Sequence, residues 1–261
     1  MDENYQTYLN RAMRLILPET YQTQVQYIQE SPKFRPHPDR GWQPVPFPGY
    51  TIVTPPGGED SKNAKLYESL KYYQQQLAHK LGPKLFAPVP PESFHLTLAD
   101  LIWDSAFRAA NEENPDFEPK LHQCVASIFE QCQPLTKENP IEFQALGLMV
   151  MTRAIALCLV PTDDYSYERV LKFRRAVYQN HDLMGLGIEQ QYYFTPHITL
   201  GYFGTIPPVE DLPILSDHFI ELNQQWLDGE TQEFWVHRAE LQKFDDMTHY
   251  YRKPDWAVFE F

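Results

Sequence analysis

Cysteine is scarce in this chain. The three residues Cys124, Cys132 and Cys158 are an odd number without metal-type spacing, so neither a disulfide framework nor a zinc site is expected. They read as buried thiols in a reducing compartment. Basic charge is also short, with 22 Lys and Arg against 35 Asp and Glu and a net charge of −13. That balance argues against a broad surface that tracks nucleic-acid phosphates, so duplex nucleic acid is not an expected partner. A small nucleotide or an RNA end in a local cleft stays compatible with it. No apolar run approaches the ~18 residues of a transmembrane helix. The opening Met1-Asp2-Glu3-Asn4-Tyr5-Gln6 has neither the basic nor the apolar part of a signal peptide. The expectation is a cytoplasmic protein with no membrane partner. His-Glu-x-x-His, Cys-x-x-Cys, Gly-x-Ser-x-Gly and Gly-x4-Gly-Lys-Ser/Thr are all missing. No metal or other cofactor is expected.

What the chain does contain is one short pattern written twice. Phe94-His95-Leu96-Thr97-Leu98 is matched about a hundred residues later by Pro196-His197-Ile198-Thr199-Leu200. Successive strand side chains point to opposite faces. His and Thr then share one face in each copy, and the aliphatic residues anchor the other. With nine histidines in 261 residues, His-x-Thr is expected by chance roughly half a time, so a lone copy would read as a structural histidine beside a β-favouring threonine. Two copies with matching apolar neighbours point instead to paired imidazoles and paired hydroxyls, suited to moving protons around a phosphate.

The rest of the chain supports a duplication. With 43% hydrophobic and 14% aromatic residues it is globular. Residues 1–48 read as an N-terminal arm, with a helix around 19–29 followed by repeated prolines; Phe34, Trp42 and Phe47 imply that it packs on the body. Then come a strand at 50–54, a helix striped by Leu66, Leu70, Tyr73, Leu77 and Leu81 and ended by Gly82-Pro83, and the motif strand at 93–102. A polar loop at 111–118, a helix from Pro119 and a strand at 141–150 with a bulge at Gly147 follow. The second half repeats the order: strand 155–160, helix 165–179, motif strand 193–203, a helix carrying Leu215, Phe219, Leu222 and Trp226, strand 233–243 and a closing hairpin at 256–261. Residues 49–261 are expected to form one bilobal body, with lobes at about 49–150 and 151–261 that could exchange their end strands.

Two His-x-Thr strands in a duplicated α+β chain resemble the 2H phosphoesterase superfamily, which includes cyclic nucleotide phosphodiesterases and the RNA 2′-5′ ligase-like proteins. The chain looks closer to an uncharacterised bacterial branch with longer inserts. The resemblance implies two pseudo-symmetric lobes, each an antiparallel sheet with outer helices, flanking a central cleft. It implies His95 and His197 as catalytic residues and Thr97 and Thr199 as phosphate contacts. The ligase-like branch usually carries a basic residue soon after the second motif, whereas this chain continues Gly201-Tyr202-Phe203.

The implied activity is hydrolysis of a 2′,3′-cyclic phosphate or related small phosphodiester, on a nucleotide or at an RNA end, by a monomer. One imidazole would act as base and the other as acid. Tyr202 is one residue out of the motif face and joins it only if the strand bulges at Gly201. Arg252, with Lys253, is a weaker candidate for a phosphate-binding rim. Asp100 and Asp104 read as a solvated strand end, and Arg153 as a turn residue. From another class, the alternative is a non-catalytic nucleotide or RNA-end binding module; a binder would need no matched acid and base.

Overall fold

The computed structural model describes residues 3–133 and 139–261. The arm is ordered throughout its described length. Helix α1 (Tyr5–Arg14) buries Tyr8 and Ala12, α2 (Pro18–Gln24) buries Tyr21, and β1 (Phe34–His37) pairs with β2 (Gly41–Pro44) in a small hairpin. The helix expected at 19–29 is therefore shorter and earlier, and α1 has no counterpart in the sequence reading. Tyr21 donates to the Leu148 carbonyl and Tyr5 to that of Pro161, fixing both helices to the body.

The body elements are β3 (Gly49–Val53), α3 (Ala64–Leu85), β4 (Phe86–Pro88), β5 (Thr97–Trp103), α4 (Asp104–Glu113), α5 (Phe117–Gln131), β6 (Ile141–Val150) and β7 (Ala154–Pro161). These are followed by α6 (Asp164–Tyr178), α7 (His181–Gly185), β8 (His197–Phe203), α8 (Leu212–Leu227), β9 (Glu233–Val236), β10 (Arg238–Asp246), β11 (His249–Tyr251) and β12 (Val258–Glu260). The apolar stripe of α3 is buried as its spacing requires, and the helix breaks at Gly82, whose φ of 76° favours glycine. Residues 111–113, expected as loop, belong to α4; only its Phe107 is buried, so little apolar periodicity marks it.

Two antiparallel sheets carry the fold, and neither is built from one half of the chain. The first runs β11-β10-β3-β5, with β12 also on β10; the second runs β4-β8-β7-β6-β9. The strand expected at 233–243 is in fact two, β9 in the second sheet and β10 in the first, divided at His237. Likewise β6 follows the first motif in sequence yet pairs with β7 of the second sheet. Residues 150 and 151 thus lie within the β6–β7 hairpin of the second sheet. The bulge near Gly147 is present, between Ala145 and Gly147 of β6. The core fills the space between sheets and helices, with Phe94, Phe143, Phe173, Phe203, Phe219 and Phe234 among its fully buried side chains.

Candidate active site

Each motif strand buries its aliphatic face completely. Leu96, Leu98, Ile198 and Leu200 have no exposed surface, whereas His95, Thr97, His197 and Thr199 are all half-buried. The alternation predicted by strand geometry is met in both copies.

A single isolated antiparallel bridge, Leu96 to Ile198, joins the two sheets at their motif strands. Its consequences follow from antiparallel register. One step away on either side, His95 is opposite Thr199 and Thr97 is opposite His197. Opposed residues share a face with Cβ atoms about 4.5–5.5 Å apart, and diagonal ones lie about 7–8 Å apart. All four polar side chains therefore face one space. The two histidines occupy diagonal corners, a spacing compatible with one phosphate group between the ring tips.

The imidazoles are held identically. His95 Nδ1 lies 2.7 Å from the Ser93 carbonyl, and His197 Nδ1 lies 2.7 Å from the Thr195 carbonyl. A carbonyl only accepts, so each Nδ1 carries the proton and each Nε2 is left for chemistry. Burial pushes His95 down to about 4, and a charge on His197 pushes in the same direction; the Ser93 carbonyl and Asp100 oppose them. Burial also lowers His197, against the Thr195 carbonyl and Asp100, and the Lys33 ammonium lowers it further.

Both motif strands are bulged immediately after their threonines. Val53 pairs with Thr97 but Ile52 with Ala99, which leaves Leu98 as the extra residue. Ala156 pairs with Thr199 but Ile155 with Gly201, which leaves Leu200 as the extra residue. An extra residue reverses the alternation beyond it. Asp100 and Tyr202, each three residues after its threonine, are thereby turned onto the motif face. The bulge expected at Gly201 thus falls one residue earlier, at Leu200. Asp100, expected at a solvated strand end, instead accepts from the Tyr192 hydroxyl at 2.5 Å. Its charge also bears on both histidines, Tyr202 and Tyr250.

The bulges are held from the helices. Arg174 of α6 donates to the Leu98 carbonyl, and Tyr178 one turn on donates to that of Asp100 at 3.0 Å. Gln74 of α3 donates to the Leu200 carbonyl at 2.6 Å. In each case the helix preceding one motif grips the other motif's sheet.

Three further residues complete the walls. Tyr250 of β11 places its ring 4.5 Å from that of His95. Lys33 and Phe34 come from the arm, the ammonium 5.2 Å and the phenyl 5.3 Å from the Tyr202 ring centre. No local signal in the sequence marks Lys33 or Tyr250. Asp100 does carry one, since it stands at the same offset from Thr97 as Tyr202 from Thr199. Arg252 does not join this group: its guanidinium is turned into its own hairpin, donating to the Trp256 carbonyl at 2.7 Å. Arg153 is exposed and bonds Gln29. Asp104 pairs with Arg108 on α4. Among the described residues no group of three or more His, Cys, Asp or Glu is arranged to hold a metal. No helix of these residues is long and apolar enough to cross a membrane.

The chain is thus α+β, with two antiparallel sheets joined at twin His-x-Thr strands and helices outside. Residues 38–148 match the model of a family described as 2H-phosphodiest, Domain of unknown function (DUF1868). That match takes in the first His-x-Thr strand and not the second. The fold is similar to that of ATU0111 from Agrobacterium tumefaciens, a conserved protein of unknown function. Identity is 16%, covering 85% of this chain and 90% of that one, with a TM-score of 0.52. Two weaker likenesses have TM-scores of 0.44. LigT of E. coli, solved in complex with 3′-AMP, is 15% identical over 81% of this chain and 96% of its own. TT0787 of Thermus thermophilus is 16% identical over the same shares. No curated protein matches the chain.

Proposed function

We propose that the protein is a metal-independent phosphoesterase hydrolysing a 2′,3′-cyclic phosphate or a related small phosphodiester. One observation carries this reading: the Leu96–Ile198 bridge turns His95, Thr97, His197 and Thr199 toward one space, with neither Nε2 bonded among the described residues. A binding module would need neither matched tautomers nor two titrating groups.

In the proposed reaction, water attacks phosphorus while His95 Nε2 takes its proton. The P–O bond to one ribose oxygen breaks, and that oxygen leaves with a proton from His197 Nε2, giving a phosphomonoester. The roles follow from electrostatics. Burial lowers His95 further, to about 4, than it lowers His197, and two charged imidazoles repel, so the single proton of the pair is placed on His197 and His95 is the neutral base. Thr97 and Thr199 donate to the non-bridging oxygens, where charge develops. In the unliganded protein burial keeps both imidazoles mostly neutral at pH 7. The substrate's own negative charge raises the acid back toward protonation. The proposal includes an arm of residues 1–48, a catalytic body of 49–261, and a monomer acting in the cytoplasm on a nucleotide or an RNA end.

Turnover of a panel of 2′,3′-cyclic nucleotides and 2′-5′-linked dinucleotides by the purified protein tests this reading. Hydrolysis of at least one cyclic member supports it. Nucleotide binding without turnover of any member would favour the binding module.

A further inference from the structure

The arm supplies the one feature of the site that the motif strands lack, a positive charge. Lys33 precedes β1, and its backbone is fixed on both sides. Its carbonyl accepts from Val45 at 2.9 Å, and the adjoining Ser31 N–H donates to the Phe203 carbonyl at the end of β8, also at 2.9 Å. The side chain then runs between two rings. Its ammonium lies 4.5 Å from the Phe47 ring centre and 5.2 Å from that of Tyr202. Tyr202 is on the motif face by virtue of the Leu200 bulge.

Among the described residues the Lys33 ammonium has no carboxylate within ion-pairing distance and makes no hydrogen bond. Cation–π contact offsets part of the desolvation, and the ammonium's three N–H donors are left available to a ligand. Arg174, by contrast, is committed, bonded to the Leu98 carbonyl and set over the Tyr178 and Phe194 rings. Burial draws Lys33 down to about 8, with Asp100 opposing, so it is still charged at neutral pH. In a chain with an excess of acid, a half-buried cation beside Tyr202, with no carboxylate paired to it among the described residues, is suited to an anion. Opening a cyclic phosphodiester takes the phosphoryl group from one negative charge toward two, and a fixed ammonium stabilises that change most in the transition state.

We propose that Lys33, held between Phe47 and Tyr202, is the phosphate ligand of this site, contributed by the N-terminal arm to oxygens positioned by the two motif strands. The inference rests on the phosphoesterase reading for its catalytic consequence, but its binding consequence stands independently. It makes the arm part of the active site.

Two readouts test it. Inorganic phosphate affinity is measured by calorimetry, and kcat and KM on a cyclic nucleotide, for wild type, Lys33→Met, Lys33→Arg and the remote Lys65→Met. Methionine keeps the length and the ring packing that seat the arm, and thermal melting checks that it does. Lys33→Met should weaken phosphate binding at least ~10-fold and lower kcat by ~10²-fold with a smaller change in KM. Lys33→Arg should recover most of both, and Lys65→Met should match wild type. Lys33→Met equal to wild type in phosphate affinity and kcat would overturn the assignment while leaving the phosphoesterase reading intact. A protein that turns over no cyclic nucleotide, yet binds phosphate in a Lys33-dependent way, would uphold the ligand and sink the phosphoesterase reading.

Discussion

At the residue scale the site is two imidazoles whose proton positions are fixed by carbonyls two residues upstream. The pattern His-x-Thr is legible because it is local: residue type and alternation are enough to put His95 with Thr97 and His197 with Thr199. Asp100 is marked only by its matching offset from Thr97, because its orientation depends on the Leu98 bulge, and a bulge has no residue signature here. Lys33 is not, because its place depends on a contact between distant parts of the chain. Burial also changes the expected titration. A pair at the ordinary histidine value would give a neutral optimum. With His95 near 4 and His197 below its ordinary ~6.5, the bell of kcat/KM should instead centre between about 4 and 6.5. Its acidic limb reports His95 and its alkaline limb His197, as initial rates across buffers would reveal; a maximum above pH 7.5 would refute the assignment. The same shifts act on stability. The unfolded chain binds more protons than the folded one between about pH 4 and 6.5. Stability from these groups is therefore fully present above that window and is lost as pH falls through it. Replacing His95 by Gln, which takes up no proton, should flatten the fall of melting temperature with acid.

At the element scale the twin bulges do the positioning, and Arg174 and Gln74 hold them. Arg174 is buried, and its bond to the Leu98 carbonyl spans two sheets' worth of chain. Arg174→Met should leave that carbonyl unpaired, costing about 1–3 kcal/mol in urea unfolding. It should lower kcat as well, because Asp100 turns with the bulge. Unchanged unfolding and kcat would remove the bulge from the account. Most elements are legible as elements: α3, α5, α6 and α8 follow their apolar stripes, and β6 and β7 their runs of Ile, Leu and Val. Partners are not. Nothing in Glu233–Asp246 says that the strand divides at His237 between sheets, since each half is equally suited to pairing. Helix α1 escapes a reading by pattern although Tyr5, Tyr8, Leu9 and Ala12 form a helical face, because a short stripe near a terminus resembles chance.

At the scale of the whole molecule, the two sheets meet at one rung, Leu96 to Ile198, and the arm spans the junction. Phe47 N–H bonds the Asp245 carbonyl on the first sheet, and Ser31 N–H bonds the Phe203 carbonyl on the second. Helix α1 adds Arg11, which donates to the Phe194 carbonyl and the Thr195 hydroxyl at 2.8 Å each, beside the carbonyl that orients His197. The strand order and the arm together tie the sheets into one frame, so the histidine separation is fixed by the fold rather than by one loop. The most direct test of that frame as a catalyst is the rate of ring opening of a cyclic nucleotide in excess EDTA, followed by chromatography, for wild type, His95→Ala and His197→Ala. The account predicts turnover by wild type undiminished by the chelator, and a loss of ~10²–10⁴-fold in kcat for each variant with folding retained. Activity that vanishes with EDTA and returns with a divalent metal, or variants as active as wild type, would contradict it.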